Sequence, residues 1–239
     1  MSTPQNPSTR GAKDIYLDST YLDRNPTWDV EDSAWKARQV HGMLARHRMQ
    51  PKTVAEIGCG AGEILKQLSL LHPATAFHGY ELSPQAYELC RSRASAQVSY
   101  FLEDLLDKEA CFDVLLCIDV FEHVEDYIGF LRALKPKATH KIFHIPLEIT
   151  VSSVLRDAMM NARRSVGHLH YFTPRTALAT LEDSGYEVVD YCFTPSFDDL
   201  PPKSLRSRLA RIPRKLLYAA SPALMVKLLG GCSLLVLAK

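Results

Sequence analysis

The 239-residue chain lacks the sequence features of a secreted, disulfide-stapled or membrane-spanning protein. Its six cysteines, at 59, 90, 111, 117, 192 and 232, form no CxxC pair and no compact cluster. That spacing excludes a disulfide scaffold and a thiolate zinc site, and it fits a reducing, cytoplasmic setting. The opening MSTPQNPSTRGAK has no apolar h-region, so no secretory signal is read and residues 1–13 are expected to form a disordered tail. The nearest approach to a membrane span, Pro222–Ala238, is short, carries Lys227 and is broken by Gly230 and Gly231. It reads instead as a helix followed by a strand. Acids are missing beyond Asp199: residues 1–199 hold 20 basic and 27 acidic side chains, a balance of −7, whereas residues 200–239 hold eight basic and no acidic ones. An acidic body argues against nucleic acid as a partner, and no RNA-binding module is recognisable. The basic end suits phosphates or an anionic membrane.

What is present, from Thr53 onward, is an alternation of short strand-like apolar runs with longer helical stretches, the rhythm of a parallel sheet covered by helices. Strands are expected near 53–58, 76–81, 97–102, 112–119, 139–146, 186–194 and 232–238. Two helix starts carry the same device, Ser83-Pro84 and Thr173-Pro174, a hydroxyl cap followed by proline in the first helical position. Ser33–His47 reads as an amphipathic helix offering Trp35, Val40, Met43 and Leu44 for packing. The expected fold class is α/β, a doubly wound seven-stranded and mostly parallel sheet. Residues 14–239 are expected to form one domain, with a helical cap at 14–50 and a basic insertion at 195–230.

The segment TVAEIGCGAGEILKQL, from Thr53 to Leu68, combines a buried strand, a turn with Gly58, Gly60 and Gly62, and a helix. Glycines are needed where a chain turns sharply and a ligand approaches the backbone too closely for a β-carbon. A dinucleotide fingerprint would require its third glycine where Glu63 stands, and a pyrophosphate there would face that carboxylate. Further on, FHGYELS places Glu81 at the end of the second strand, where an acid can accept ribose hydroxyl protons. YFLEDLL, from Tyr100 to Leu106, and CFDVLLCIDVFEHV, from Cys111 to Val124, follow in order. Together these four segments resemble the motifs of class I, Rossmann-like S-adenosylmethionine-dependent methyltransferases. The resemblance implies S-adenosylmethionine as cofactor and an antiparallel last strand. It also implies cofactor contacts from Glu56, Gly58, Cys59, Gly60, Gly62, Glu81, Leu82, Asp104, Leu105, Asp119 and Val120, with Glu81 on the ribose and Asp104 and Leu105 beside the adenine.

The acceptor site is expected outside the strand ends, near Asp119, Glu122 and His123 after the fourth strand and GHLHYFTP, Gly167 to Pro174, after the fifth. His123, His168 and His170 are the candidate general bases. Asp119, Glu122 and His123 with His170 further resemble the ligands of metal-assisted small-RNA 2′-O-methyltransferases and, in part, those of ubiquinone-pathway O-methyltransferases. That likeness implies Mg²⁺ or Mn²⁺, although the first position here is Asp119 where the pattern has glutamate. The competing reading is that Glu122 and His123 merely open the next helix.

Tyr21, Trp28 and Trp35 are available either to close over a ligand or to pin a helix to the sheet. In the basic insertion, Lys203, Arg206, Arg208, Arg211, Arg214 and Lys215 alternate with Leu205, Leu209, Ile212, Leu216 and Leu217. Two readings follow: a flap over its own domain or a dimer partner, interrupted at Pro213 and Pro222, or a peripheral membrane contact through 203–229. Methyl transfer to a small-molecule oxygen is the leading function. The alternatives are transfer to nitrogen, RNA 2′-O-methylation, and a catalytically inactive cofactor-binding module, in a monomer or homodimer.

Overall fold

A computed structural model of the chain describes residues 16, 20–28, 30–201 and 205–239. The expected tail at 1–13 and Lys203 lie outside the described residues. Seven strands form one sheet: β1 (Thr53–Ile57), β2 (Ala76–Tyr80), β3 (Val98–Phe101), β4 (Phe112–Ile118), β5 (Ala138–Pro146), β6 (Val188–Pro195) and β7 (Cys232–Ala238). Their spatial order is β3-β2-β1-β4-β5-β7-β6. All pairings from β3 to β5 are parallel, and β7 lies antiparallel between β5 and β6. The expected strands and the expected inverted last strand are therefore observed.

The sheet is buried on both faces because successive residues of each central strand feed opposite cores. Ala55, Ile57, Leu115, Cys117, Phe143 and Ile145 serve one face, and Val54, Val114, Leu116, Ile118 and Ile142 the other. Before β1 come a short helix α1 (Thr20–Arg24) and α2 (Ser33–Arg46), which buries Trp35, Val40, Met43 and Leu44. Helices α3 (Glu63–Leu71), α4 (Pro84–Arg91), α5 (Tyr127–Leu134) and α8 (Pro174–Asp183) cover the sheet. Between β5 and α8 lie α6 (Val151–Leu155) and α7 (Ala158–Ser165). The two predicted caps form: Ser83 accepts from Ala86 N, and Thr173 and Thr176 make a reciprocal capping box.

After β6 come α9 (Ser196–Asp199), α10 (Leu205–Ala220) and α11 (Pro222–Leu228). Pro213 does not interrupt α10, contrary to expectation. The break falls at Ser221, whose hydroxyl caps α11 with Pro222 in its first turn. Among the described residues no helix is long and apolar enough to cross a membrane.

Strand order reverses between β1, which continues to β2, and β4, which continues to β5. At such a switch point the loops leaving the two strands diverge and open a crevice beyond the carboxyl ends. The loops after Ile57 and Ile118 meet there, with Val120 packed against Gly58.

Candidate active site

A cavity of about 300 Å³ occupies this crevice. Its floor is the glycine turn, where Gly58, Gly60 and Gly62 all have positive φ, between 54° and 77°. A side chain at Gly62 would strike Tyr100 and Cys90, with its Cβ 2.5 Å from Tyr100 Cε1, so the turn is fixed by conformation and by space. Glu81 is buried under this turn. Its Oε2 accepts from Gly60 N, and its Oε1 from Leu82 N and Ser83 N, each at 2.8 Å. Burial nevertheless raises its pKa, with those three hydrogen bonds working in the other direction. A carboxylate has about four acceptor directions, so roughly one, on Oε2, stays available to a ribose hydroxyl.

Glu56, at the end of β1, is buried, and its Oε2 has no partner among the described residues. Burial drives its pKa up, Lys36 opposing and Glu81 adding to the shift. Cys59 turns its sulfur toward Gly79. Leu82 is half exposed, and Leu105 packs in the core. Asp104 Oδ1 accepts from Leu106 N and opens a 3-10 turn at Leu105–Asp107.

On the other side of the cavity the backbone turns sharply at Asp119, whose φ is +53°. Asp119 Oδ2 pairs with Lys36 Nζ at 2.8 Å, and Oδ1 meets His144 Nδ1 at 2.7 Å. Burial alone would raise the Asp119 pKa, but His144 and Lys36 overcome it and hold the carboxyl well below its usual range. Lys36 also pairs with Asp32. Burial works against its charge, and the two aspartates outweigh it.

The next residues form a 3-10 turn, Phe121–His123, so the reading of Glu122 and His123 as the start of a regular helix is replaced by a tight turn ahead of α5. Glu122 is fully buried, and neither carboxyl oxygen has a hydrogen-bond partner among the described residues. Burial first, then the charge of Asp119, drives its pKa well above the ordinary glutamate value.

His123 and His168 pack edge to face, ring centres 4.7 Å apart. Tyr16 Oη donates to Val166 O at 2.6 Å, so at its 2.8 Å contact with His123 it accepts from Nδ1–H. The lone pair of His123 is therefore on Nε2, 4.0 Å from Glu122 Oε1. Burial and the neighbouring His168 push the His123 pKa down to about 4. His168 Nδ1 meets Glu148 Oε2 at 2.6 Å. This carboxylate–imidazole pair leaves Nε2 as the basic nitrogen.

Glu122, His123 and His168 bring one ligand atom each to within 4.8 Å of one another. The set inferred from sequence is thus regrouped. Asp119 is committed to Lys36 and His144, and His170 Nε2 bonds Val124 O, with its ring 4.2 Å from Tyr127. Four participants were missed: Lys36, His144, Glu148 and Tyr16. Their signal was weak, since each reaches the site from a distant segment.

Of the amino-terminal aromatics, Trp35 is buried and donates to Asp199 Oδ2, a pinning role. It also lines the cavity, as do Tyr21 and Trp28, whose rings are 4.6 Å apart. A Cβ at Gly60 would lie 2.8 Å from Trp28 Cδ1, so the indole rests on the glycine turn as a roof.

The fold and the glycine turn define the architecture of class I S-adenosylmethionine-dependent methyltransferases. The chain belongs to the methyltransferase domain family, whose model matches residues 33–191. The norajmaline N-methyltransferase of Rauvolfia serpentina is 32% identical over 152 residues, 54% of this chain and 50% of that protein. A ubiquinone biosynthesis O-methyltransferase of Neisseria meningitidis serogroup C is 32% identical over 93 residues, 36% of this chain and 39% of that protein. The chain thus spans about half, or less, of the length of these relatives. Among solved structures, the magnesium protoporphyrin IX methyltransferase of Synechocystis PCC 6803 with bound SAH superposes with a TM-score of 0.64. It is 16% identical, and the match covers 95% of this chain and 98% of that one.

Proposed function

We propose that the chain transfers a methyl group from S-adenosylmethionine to an oxygen of a small-molecule acceptor. The observation that carries this reading is one cavity lined on one side by the glycine turn, with Glu81 buried beneath that turn, and on the other by His168, which Glu148 holds from behind. The residues suit the cofactor: Glu81 Oε2 has capacity for a ribose hydroxyl, and the partnerless Glu56 Oε2 offers an acceptor to an α-ammonium. Asp104, Leu82 and Leu105 flank the adenine end in this reading. The bound cofactor supplies an electrophilic methyl on a cationic sulfonium.

His168 is the general base. It takes the acceptor's hydroxyl proton on Nε2, and Glu148 fixes its tautomer and stabilises the imidazolium that forms. His123, with its pKa near 4, is too weak a base to share that role at pH 7, and Glu122, which lines the same cavity, positions the hydroxyl. His170 orders the loop. Calorimetry with S-adenosylmethionine, followed by labelled-methyl transfer into pools of hydroxylated metabolites, tests the reading. Absence of cofactor binding would refute it, and labelling confined to amines would move the acceptor atom to nitrogen.

A second reading is favoured by the two partnerless oxygens of Glu122. A divalent cation would be held by Glu122, His123 and His168, lowering the pKa of an acceptor hydroxyl. Two imidazoles with one carboxylate suit Mn²⁺ better than Mg²⁺. Metal analysis and Mn²⁺ titration followed by electron paramagnetic resonance decide between a metal-free and a metal-assisted reaction.

The reading extends to a peripheral contact with an anionic membrane. Leu205, Leu209, Ile212 and Leu216, spaced to share one face of α10, are 71, 64, 64 and 70% exposed. Leu217 and Tyr218 on the opposite side pack against the core. The helix thus lies over its own domain through that side, and the stripe of four faces outward. Arg208 and Lys215 flank the stripe, the arrangement of a helix lying in a lipid interface. Flotation with vesicles containing phosphatidylserine tests this, and Leu209→Ser with Ile212→Ser should abolish it. A dimer in solution that disappears with the same changes would assign the stripe to a second copy instead.

A further inference from the structure

A second cavity, of about 280 Å³, lies beside the first and shares Pro146, Ser196 and Ser233 with it. The partition between them is the Glu148–His168 pair, with Glu148 lining the second cavity and His168 the first. Its other charged lining residues are Arg156 and Arg214. The Arg214 guanidinium lies on Gly231, where a Cβ would come within 3.3 Å of Cζ, and its Nη2 donates to Leu229 O at 3.1 Å. Gly230 and Gly231 both have positive φ, so the backbone bends to let the guanidinium lie flat there. Arg214 Nε is buried, with no partner among the described residues. Arg156 donates from Nε to Ser152 O. Neither arginine has an ion pair among the described residues.

Arg214 is thus half-buried with an orphaned Nε–H, Arg156 is exposed at the mouth of the same pocket, and neither is ion-paired among the described residues. Burial, and next the charge of Arg156, lower the Arg214 pKa, which is the signature of a guanidinium held where its charge is not compensated. Among the described residues Glu148 is the one acid in the lining, and its Oε2 is turned to His168 Nδ1, with no ion pair to either arginine. A planar or tetrahedral oxyanion would satisfy the orphaned Nε–H and remove the repulsion between the arginines.

We propose that this second cavity binds the carboxylate or phosphate of the methyl acceptor, with Arg214 and Arg156 as its cationic ligands. The acceptor's hydroxyl then lies across the partition, beside His168. This assignment rests on the methyl-transfer reading above, and it restricts the substrate class to hydroxylated anions.

The test titrates the full chain with sodium phosphate and, separately, sodium benzoate, against sodium chloride of equal ionic strength, by calorimetry. One of the two should bind in the wild type, and which one does separates phosphate from carboxylate. Arg214→Gln should weaken that binding about tenfold or more, and Arg156→Gln by a smaller factor. Binding of S-adenosylmethionine should stay unchanged in both, which also shows that the variants fold. The labelled products of the metabolite screen should be retained on an anion exchanger. Binding of neither anion, binding equal in wild type and both variants, or exclusively neutral products would overturn the proposal. It would also fall if Arg214→Gln lost vesicle flotation while keeping phosphate and benzoate binding. If the cofactor does not bind at all, methyl transfer fails first, and the anion titration still reads the cavity independently.

Discussion

On the β1–β2 side of the cavity the important hydrogen bonds join a side chain to backbone of its own or the adjacent strand end. Glu81 takes Gly60, Leu82 and Ser83. On the β4–β5 side they join side chains brought together from separate parts of the chain: Tyr16 to His123, Lys36 to Asp119, His144 to Asp119, Glu148 to His168. The first arrangement is a property of one supersecondary unit and needs little else. The second exists only when the amino-terminal segment and the loops after β4 and β5 are all docked. It follows that changes on the first side should act on the cofactor alone, whereas changes on the second should act on stability or on the acceptor.

The largest effect on stability is expected where the second side is held together. Lys36 is 14% exposed and faces both Asp119 and Asp32. Lys36→Met removes the cation shared by the two acids and leaves Asp119 with His144 alone; removing one partner of a buried pair costs about 3–5 kcal/mol, so this partly buried one should cost about 2–3 kcal/mol. Urea denaturation of the two proteins measures it. A loss below about 1 kcal/mol would place the pair in the class of solvated surface bridges and erase the contrast.

The largest effect on cofactor binding is expected of Glu81→Ala, which removes the acceptor and strands three backbone N–H groups around the glycine turn. S-Adenosylmethionine affinity should fall about 100-fold, or roughly 3 kcal/mol, as read by calorimetry. Glu81→Gln, which keeps one acceptor oxygen, should lose less. His168→Ala should lower kcat about 100-fold or more while cofactor affinity changes less than about twofold. Glu148→Gln should reproduce a part of that loss with its pH profile displaced. If His168→Ala abolished cofactor binding, the two sides of the cavity would not be separable.

The same contrast explains what could be read in advance. The strands were legible because alternation and length are local, and the caps because Ser83-Pro84 and Thr173-Pro174 carry their geometry in two residues. Gly58, Gly60 and Gly62 announced a turn that a β-carbon would obstruct. His168 and His170 sit two residues apart, and nothing in that spacing tells which of them faces the cavity. The answer depends on Glu148, which comes from the loop before α6, and on Val124, which captures His170. Lys36 looked like any lysine on an amphipathic helix until the loop after β4 placed Asp119 against it. Pro213 was misjudged because a proline's cost to a helix depends on what else holds that helix, and here Leu217 and Tyr218 anchor it to the core.

The smallest effect concerns Glu63, the residue that stands where a dinucleotide fingerprint would have glycine. It opens α3, meets Arg93 Nε at 2.6 Å and accepts from Gln67. Partial burial alone would raise its pKa, but the hydrogen bonds from Gln67 and Arg93 and the charge of Lys66 outweigh it and hold the carboxyl below the ordinary glutamate value. A depressed folded pKa means that the stabilisation is complete above the unfolded value, about 4.3, and is lost as pH falls through the folded one. Glu63→Gln should therefore cost about 0.5–1 kcal/mol at pH 7, less in high salt, and the two proteins should converge as pH falls through the depressed folded pKa. Thermal melts across pH measure this. Cofactor affinity should be unchanged, because the proposed grip on this side of the cavity is that of backbone and Glu81, and Glu63 is turned to Arg93. Should Glu63→Gln weaken S-adenosylmethionine tenfold, its carboxylate would be a cofactor ligand, and the β1–β2 side would depend on side-chain charge as much as the opposite side does.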